Sequence, residues 1–174
     1  MLGVVLTFRK APTRKLALNV RCPGWAPAPV KFAMNGKEIA TGQPGENAVL
    51  NADWKDGDKL TVSIPMAFRS EPLLGGHDEL NAFFYGPTLL AGDFGEVENY
   101  RDRIYPRDQL DLQNAACKPV PILLGDSASQ IVAAAKPVSG SDRAWELPTT
   151  TGGTVLVRPF NQMPYSHYQN NDTQ

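Results

Sequence analysis

Val30-Lys31-Phe32-Ala33-Met34-Asn35-Gly36 decides the fold class of this chain. Apolar residues at every second position place one face of an extended segment inward, because successive side chains of a strand point to opposite sides. The Asn-Gly pair that follows tolerates the positive φ angles of a type I′ turn, so the run reads as the first arm of a β-hairpin. The same period recurs on both sides. Val4, Leu6 and Phe8 alternate, as do Leu16, Leu18, Val20 and Cys22, with Ala11-Pro12-Thr13 as a turn between them. Cys22-Pro23-Gly24 ends the second of these strands, since proline removes a ladder donor and glycine admits a tight bend. A loop over Gly42–Gly45, a short strand near Ala48-Val49-Leu50, an Asp56-Gly57-Asp58 turn and a strand through Leu60, Val62 and Ile64 complete at least five strands before Pro65.

Composition agrees with a folded β protein. Apolar residues make up 42% and charged residues 20% of the 174, away from the balance of disordered chains. Glycine and proline are frequent, 15 each, and fall at intervals between short apolar runs, as turns in a β protein require. A net charge of -1, with basic and acidic residues evenly spread, offers no footprint for phosphate backbones or anionic lipid. Nucleic acid and membrane are therefore not expected partners. The apolar run Val4-Val5-Leu6 is too short for a signal-peptide core, and no stretch approaches the ~20 apolar residues of a membrane span. Cys22 and Cys117 lack metal-type spacing, and two buried thiols are preferred to a disulfide.

Further along, the residues from Ser70 to Asp78 read as a polar, glycine-rich loop. Leu80 to Leu90 reads as two strands around a Gly86-Pro87 bend. Charged residues then replace the alternation, with Arg101-Asp102-Arg103 and Arg107-Asp108. Val120 to Leu124 is expected as a strand, Ser127 to Ala135 as one or two helical turns, and Thr154 to Phe160 as a final strand. The expected fold class is all-β. A β-sandwich over 1–95 is followed by a linker or boundary at 96–118, a smaller sandwich-like β-rich unit over 119–168 and a frayed tail at 169–174.

Several segments resemble, in order, the region that follows the catalytic domain in the β-L-arabinofuranosidase family, glycoside hydrolase family 127. Leu16-Ala17-Leu18-Asn19-Val20-Arg21-Cys22-Pro23-Gly24-Trp25 is similar to the family's L-x-L-R-I-P-x-W strand, and Met34-Asn35-Gly36 to its V-N-G hairpin. Trp54-Lys55-Asp56-Gly57-Asp58 resembles its W-x-x-G-D segment, and Ile64-Pro65-Met66 its L-P-M strand end. Phe84-Tyr85-Gly86-Pro87-Thr88-Leu89-Leu90-Ala91-Gly92 resembles the aromatic-G-P-x-x-L-A-G strand pair, and Val157-Arg158-Pro159-Phe160 the terminal L-x-P-F strand. After Phe160 the chain departs from the pattern: Met163-Pro164-Tyr165-Ser166-His167-Tyr168 stands where the family often has consecutive histidines and R-Y-x-x-Y-W. The resemblance implies an (α/α) barrel upstream that cleaves terminal β-L-arabinofuranosyl linkages with a cysteine nucleophile held near zinc. Zinc is expected only in that barrel, and no catalytic, cofactor or metal position carries over to these residues. The implied partners are the barrel of the same polypeptide and a plant-type arabinose-containing glycan.

The residues with chemistry divide accordingly. Asp53, Asp56 and Asp58 around a glycine are read as a solvated turn in preference to a calcium loop, because their spacing is not that of an EF-hand. Glu71, Asp78 and Glu79 beside His77 do not by their proximity establish the ~5–10 Å separation of a glycosidase carboxylate pair. His77 is instead a candidate contact with the barrel, on a loop free to reach a neighbour. His167 is read as a surface or edge residue. Trp25 and Trp54, next to turns, are expected to cap the core, and Trp145 is a candidate sugar contact. A free-standing carbohydrate-binding or adhesion sandwich is the rival reading, since strand pattern alone does not separate the two.

Overall fold

The structure is a computed structural model that describes residues 1–73, 77–96, 121–141, 143–163 and 166–169. It contains thirteen strands and one short α-helix among these residues, and the all-β expectation holds. The chain divides into two compact units, Met1–Ala67 and Phe68–Gln174.

The first unit is a sandwich of two antiparallel sheets. Strands β1 (Leu2–Thr7), β2 (Leu16–Arg21), β3 (Val30–Met34), β4 (Lys37–Gly42), β5 (Asn47–Ala52) and β6 (Lys59–Ile64) follow one another with short connections. One sheet has the order β1-β6-β3-β4 and the other pairs β2 with β5. Residues directly opposite in an antiparallel pair share a face. Leu60 stands opposite Leu6, and Val62 opposite both Val4 and Phe32, so these side chains all face the second sheet. From that sheet Leu18 and Leu50 are opposite one another, as are Val20 and Ala48. The two inner faces meet in a core of Cys22, Val30, Phe32, Leu50, Leu60 and Val62, closed at one end by Trp54.

The Asn35-Gly36 hairpin is present. Asn35 has φ 50° and Gly36 has φ 85°, as the two central positions of a type I′ turn require, and β3 pairs with β4 across them. The Asp56-Gly57-Asp58 turn is also in place, with Gly57 at φ 86°.

The second unit is one larger sheet. Strands β7 (Phe68–Leu73), β8 (His77–Tyr85), β9 (Thr88–Glu96), β10 (Lys136–Pro137), β11 (Trp145–Pro148) and β12 (Thr154–Pro159) lie in the order β10-β11-β12-β9-β8-β7, and β13 (Ser166–Gln169) also pairs with β9. Helix α1 (Ala128–Ala134) is capped by Ser127, whose side chain accepts from the Gln130 amide. Its buried residue Ile131 joins a core of Phe83, Leu90, Trp145, Leu147, Val155 and Val157.

Three expectations change. Residues 70–73 form strand, not loop: β7 is the last strand of its sheet, and such an edge tolerates Pro72 because no strand among the described residues pairs with its outer side. Arg69 anchors it, with its guanidinium 4.7 Å from the centre of the Phe84 ring, Nη2 donating to the Gly86 carbonyl at 3.1 Å, and an ion pair to Glu71. Leu123 makes only an isolated bridge to Thr149, not a strand. Finally, the units meet at Ala67/Phe68 and not beyond 95, because β8 and β9 are hydrogen-bonded into the sheet that also contains β12. The charged stretch 97–120 lies outside the described residues.

Candidate functional site

Several of the residues singled out by chemistry are placed by this fold in structural roles. Asp58 is the clearest case. It sits at the start of β6 against the β3–β4 hairpin, almost buried. Its Oδ1 accepts from Asn35 Nδ2 at 2.8 Å and its Oδ2 from the Lys55 amide at 2.8 Å. Asn35 answers with its own Oδ1, which accepts from the Lys59 amide at 2.9 Å. A turn and a hairpin distant in sequence are thereby locked to each other through two side chains. Asp56 Oδ1 accepts from the Ala11 amide at 2.6 Å, tying the β1–β2 loop to the same turn. No group of three or more His, Cys, Asp or Glu side chains that could hold a metal occurs among the described residues.

The Asn35 hydrogen bond, then the Lys55 amide, hold the Asp58 carboxyl below its ordinary value of 3.8. A group with a depressed folded-state pKa stabilises the fold fully above its unfolded value and loses that contribution as pH falls through the folded one. The expected result is an acid limb of thermal stability that begins near pH 4 and is shallower in Asp58→Asn, measured as Tm against pH from about 6 to 2 for both proteins.

Between β4 and β5 a recess of about 740 Å³ opens beside this network, lined by Asn35, Ile39, Val49, Asn51 and Asp58 among others. Asn35 and Asp58 are already engaged with each other there, and the lining holds no aromatic ring to stack on a sugar.

Trp54 stacks on Phe8 with ring centres 4.6 Å apart, and its indole Nε1 donates to the Leu16 carbonyl at 2.8 Å, which is the core-capping role expected of it. Trp25 is half-buried in the turn after β2. Trp145 is 8% exposed, with Phe68 at 5.2 Å and Tyr85 at 4.7 Å between ring centres, so its ring is part of the core of the second unit. His77 begins β8, its backbone opposite Leu73, and His167 lies in β13; their side chains are outside the described set, as are those of Asp78 and Glu79. Glu71 pairs with Arg69.

Cys22 is a free thiol, fully buried, and burial pushes its pKa up. A protonated thiol enclosed by Val30, Phe32 and Ala48 is neither nucleophile nor zinc ligand. Cys117 lies outside the described residues. The zinc implied by the resemblance therefore finds no fitting donor set among the described side chains. Among the described residues no helix is long and apolar enough to cross a membrane.

Residues 3–66 match the model of the family described as "Beta-L-arabinofuranosidase, GH127 middle domain". Those limits fall within one residue or two of the first compact unit. No curated protein is significantly similar in sequence. Among solved structures, one described as a glycoside hydrolase is similar with a TM-score of 0.61 at 16% identity, over 97% of this chain and 30% of its own. A GH127 β-L-arabinofuranosidase from Geobacillus stearothermophilus T6 gives 0.52 at 14% identity, over 97% of this chain and 28% of its own. A GH127 β-arabinofuranosidase gives 0.54 at 12% identity, over 98% and 29%. The chain thus spans less than a third of the length of each of these three structures. The resemblance read from the motifs is supported: the first unit matches a GH127 middle domain, and the fold is one that solved GH127 structures contain.

Proposed function

We propose that this chain is the non-catalytic β-sandwich portion of a GH127-type glycoside hydrolase, serving as a scaffold for an (α/α) barrel that carries the catalysis. The observation that carries this reading is the coincidence of the family's middle domain, matched at residues 3–66, with a unit that has its own core. Its polar side chains are engaged in holding turns together: Asp58, Asn35 and Asp56 all bond within the sandwich. A scaffold of this kind stabilises a barrel by burying one of its faces, and zinc and the cysteine nucleophile belong to the barrel. The glycan, of plant type and containing arabinose, is bound by the barrel in this reading. The burial of Trp54 and Trp145 speaks against the rival reading, which needs a solvent-facing aromatic row.

Two measurements test it. The reading frame upstream of Met1 is expected to continue into a barrel with clustered cysteines; a stop codon and ribosome-binding site there would overturn the reading. The purified chain is expected to leave an aryl β-L-arabinofuranoside unhydrolysed, and measurable turnover would show that it is itself a catalyst.

A further inference from the structure

We propose that Asn35 is a site of spontaneous deamidation, held back in the folded chain by its bonds to Asp58 and Lys59, and that the product does not re-form the clasp. The proposal is independent of the scaffold reading.

Asn35-Gly36 is the one Asn-Gly pair in the sequence. Asparagine is a thermally labile residue, and a glycine after it leaves the next backbone nitrogen unshielded by a side chain. The reaction is an acyl transfer within the chain. The Gly36 nitrogen bonds to Asn35 Cγ, the Cγ–Nδ2 bond breaks, and Nδ2 leaves as ammonia with the proton that the glycine nitrogen gives up. Water then opens the resulting five-membered imide at either carbonyl. One opening gives aspartate, the other isoaspartate, in which the backbone runs through the former side chain.

The Asp56-Gly57 turn offers the related closure with loss of water, yet there the attacking nitrogen is occupied: Gly57 donates to the Phe8 carbonyl at 2.8 Å. At the hairpin, Asn35 and Gly36 are both exposed, and the Gly36 amide donates to no group among the described residues. The nucleophile at position 36 is thus unengaged by the fold.

What restrains the reaction is the conformation of Asn35. Ring closure needs its Cβ and the Gly36 nitrogen on the same side of the Cα–C bond. At the type I′ turn position marked by φ 50°, ψ is ~30°, which sets the two nearly opposite. The residue is held there by three bonds to the start of β6 and the turn before it. Its Nδ2 donates to Asp58 Oδ1 at 2.8 Å, its Oδ1 accepts from the Lys59 amide at 2.9 Å, and its own amide donates to the Lys59 carbonyl at 2.9 Å. Deamidation therefore proceeds from states in which the hairpin tip has let go of Asp58, and such local opening costs less than unfolding the whole unit.

The product closes less well. Aspartate at position 35 has no side-chain N–H to donate and sets a second carboxylate against Asp58, an arrangement in which both resist being charged together. Isoaspartate lengthens a two-residue turn whose length fixes the register of β3 on β4. Ammonia is lost to solvent, so each conversion is one-way.

The test follows conversion at Asn35 by peptide mass in mildly alkaline buffer, for the folded chain and for a peptide of residues 31–39. The folded chain is expected to convert more slowly than the peptide by about tenfold or more. Asp58→Ala is expected to convert about fivefold faster than the unaltered chain. Gly42→Val, which disturbs the same unit at the other end of β4, is expected to stay within about twofold of it. Equal rates in chain and peptide overturn the proposal, and so does an Asp58→Ala rate that matches the unaltered chain. Equal acceleration by both variants assigns the reaction to global unfolding and removes the role of Asp58. A second measurement does not depend on Asp58→Ala folding. Asn35→Asp, the product with the ordinary backbone, is expected to lower the Tm by about 5 °C. Adding Asp58→Asn returns an amide facing a carboxylate with the roles exchanged, and is expected to recover about half of that loss or more. An unchanged Tm in Asn35→Asp, or no recovery in the double variant, overturns the claim that the product does not re-form the clasp.

Discussion

Trp145→Ala is expected to destabilise the second unit by about 3–5 kcal/mol, the range for removing a large aromatic side chain from a core. Trp145 lies at the start of β11, opposite Val157 of β12, and its ring is packed between Phe68 and Tyr85. Truncation would leave both rings facing a void and deprive the Phe68–Phe83 stack, 5.7 Å between centres, of its neighbour. A tryptophan serving as a surface platform for sugar would behave differently: substitutions at exposed positions usually change stability by no more than about 0.5 kcal/mol. Urea denaturation monitored by far-UV circular dichroism separates the two. A wild-type midpoint in Trp145→Ala, together with lost retention on an arabinan column, would restore the platform role.

That tryptophan also shows where the sequence ran short of information. Strand β11, Trp145–Pro148, has only four residues, and β10 has two, so neither offers enough alternation to register as a period. The first unit was legible because each of its strands runs five or six residues with turn residues between them. There the register followed from pattern: inward positions at Leu60 and Val62 pair with inward positions on β1 and β3. The boundary between units was not legible. Composition changes near residue 97, but the hydrogen-bond ladder assigns β8 and β9 to the second sheet, and a ladder between strands distant in sequence leaves no local mark.

The same division applies to the candidate site residues. In the sequence the Asn35-Gly36 turn is a matter of backbone chemistry alone, two residues that tolerate positive φ. The structure gives Asn35 a second task, because its amide faces Asp58, 23 positions away. In the sequence Asp58 is one of three acidic residues in a solvated turn, and the spacing carries no sign that a hairpin amide reaches it. A short polar side chain at a turn can bond its own backbone or a distant group. Which one it meets is decided by the packing of β3 against β6, which only the folded chain supplies.

Gly42→Val is expected to cost the first unit about 1–3 kcal/mol through overpacking, and the cost is expected to fall sharply when Cys22 is shortened to alanine in the same chain. Gly42 closes β4, opposite Val30, and its backbone conformation is open to any residue, so the effect is one of space. A Cβ there would stand 2.3 Å from Cys22 Sγ, 3.0 Å from the Ala48 Cβ and 3.4 Å from the Phe32 ring. The thiol cannot turn aside, since Cys22 is fully buried among Val30, Phe32 and Ala48. Cys22→Ala alone removes the sulfur and opens a small cavity, with its own loss of stability. Combined, the two changes place new atoms in part of the space the sulfur leaves, and a double-mutant cycle by chemical denaturation should return a favourable coupling of about 1 kcal/mol or more. Additive losses would mean that the sulfur is not what excludes a side chain from position 42. The coupling would also establish what Cys22 does in this protein: its sulfur fills the space that an absent side chain at Gly42 leaves between the two sheets, in the place where β4 and β5 come together.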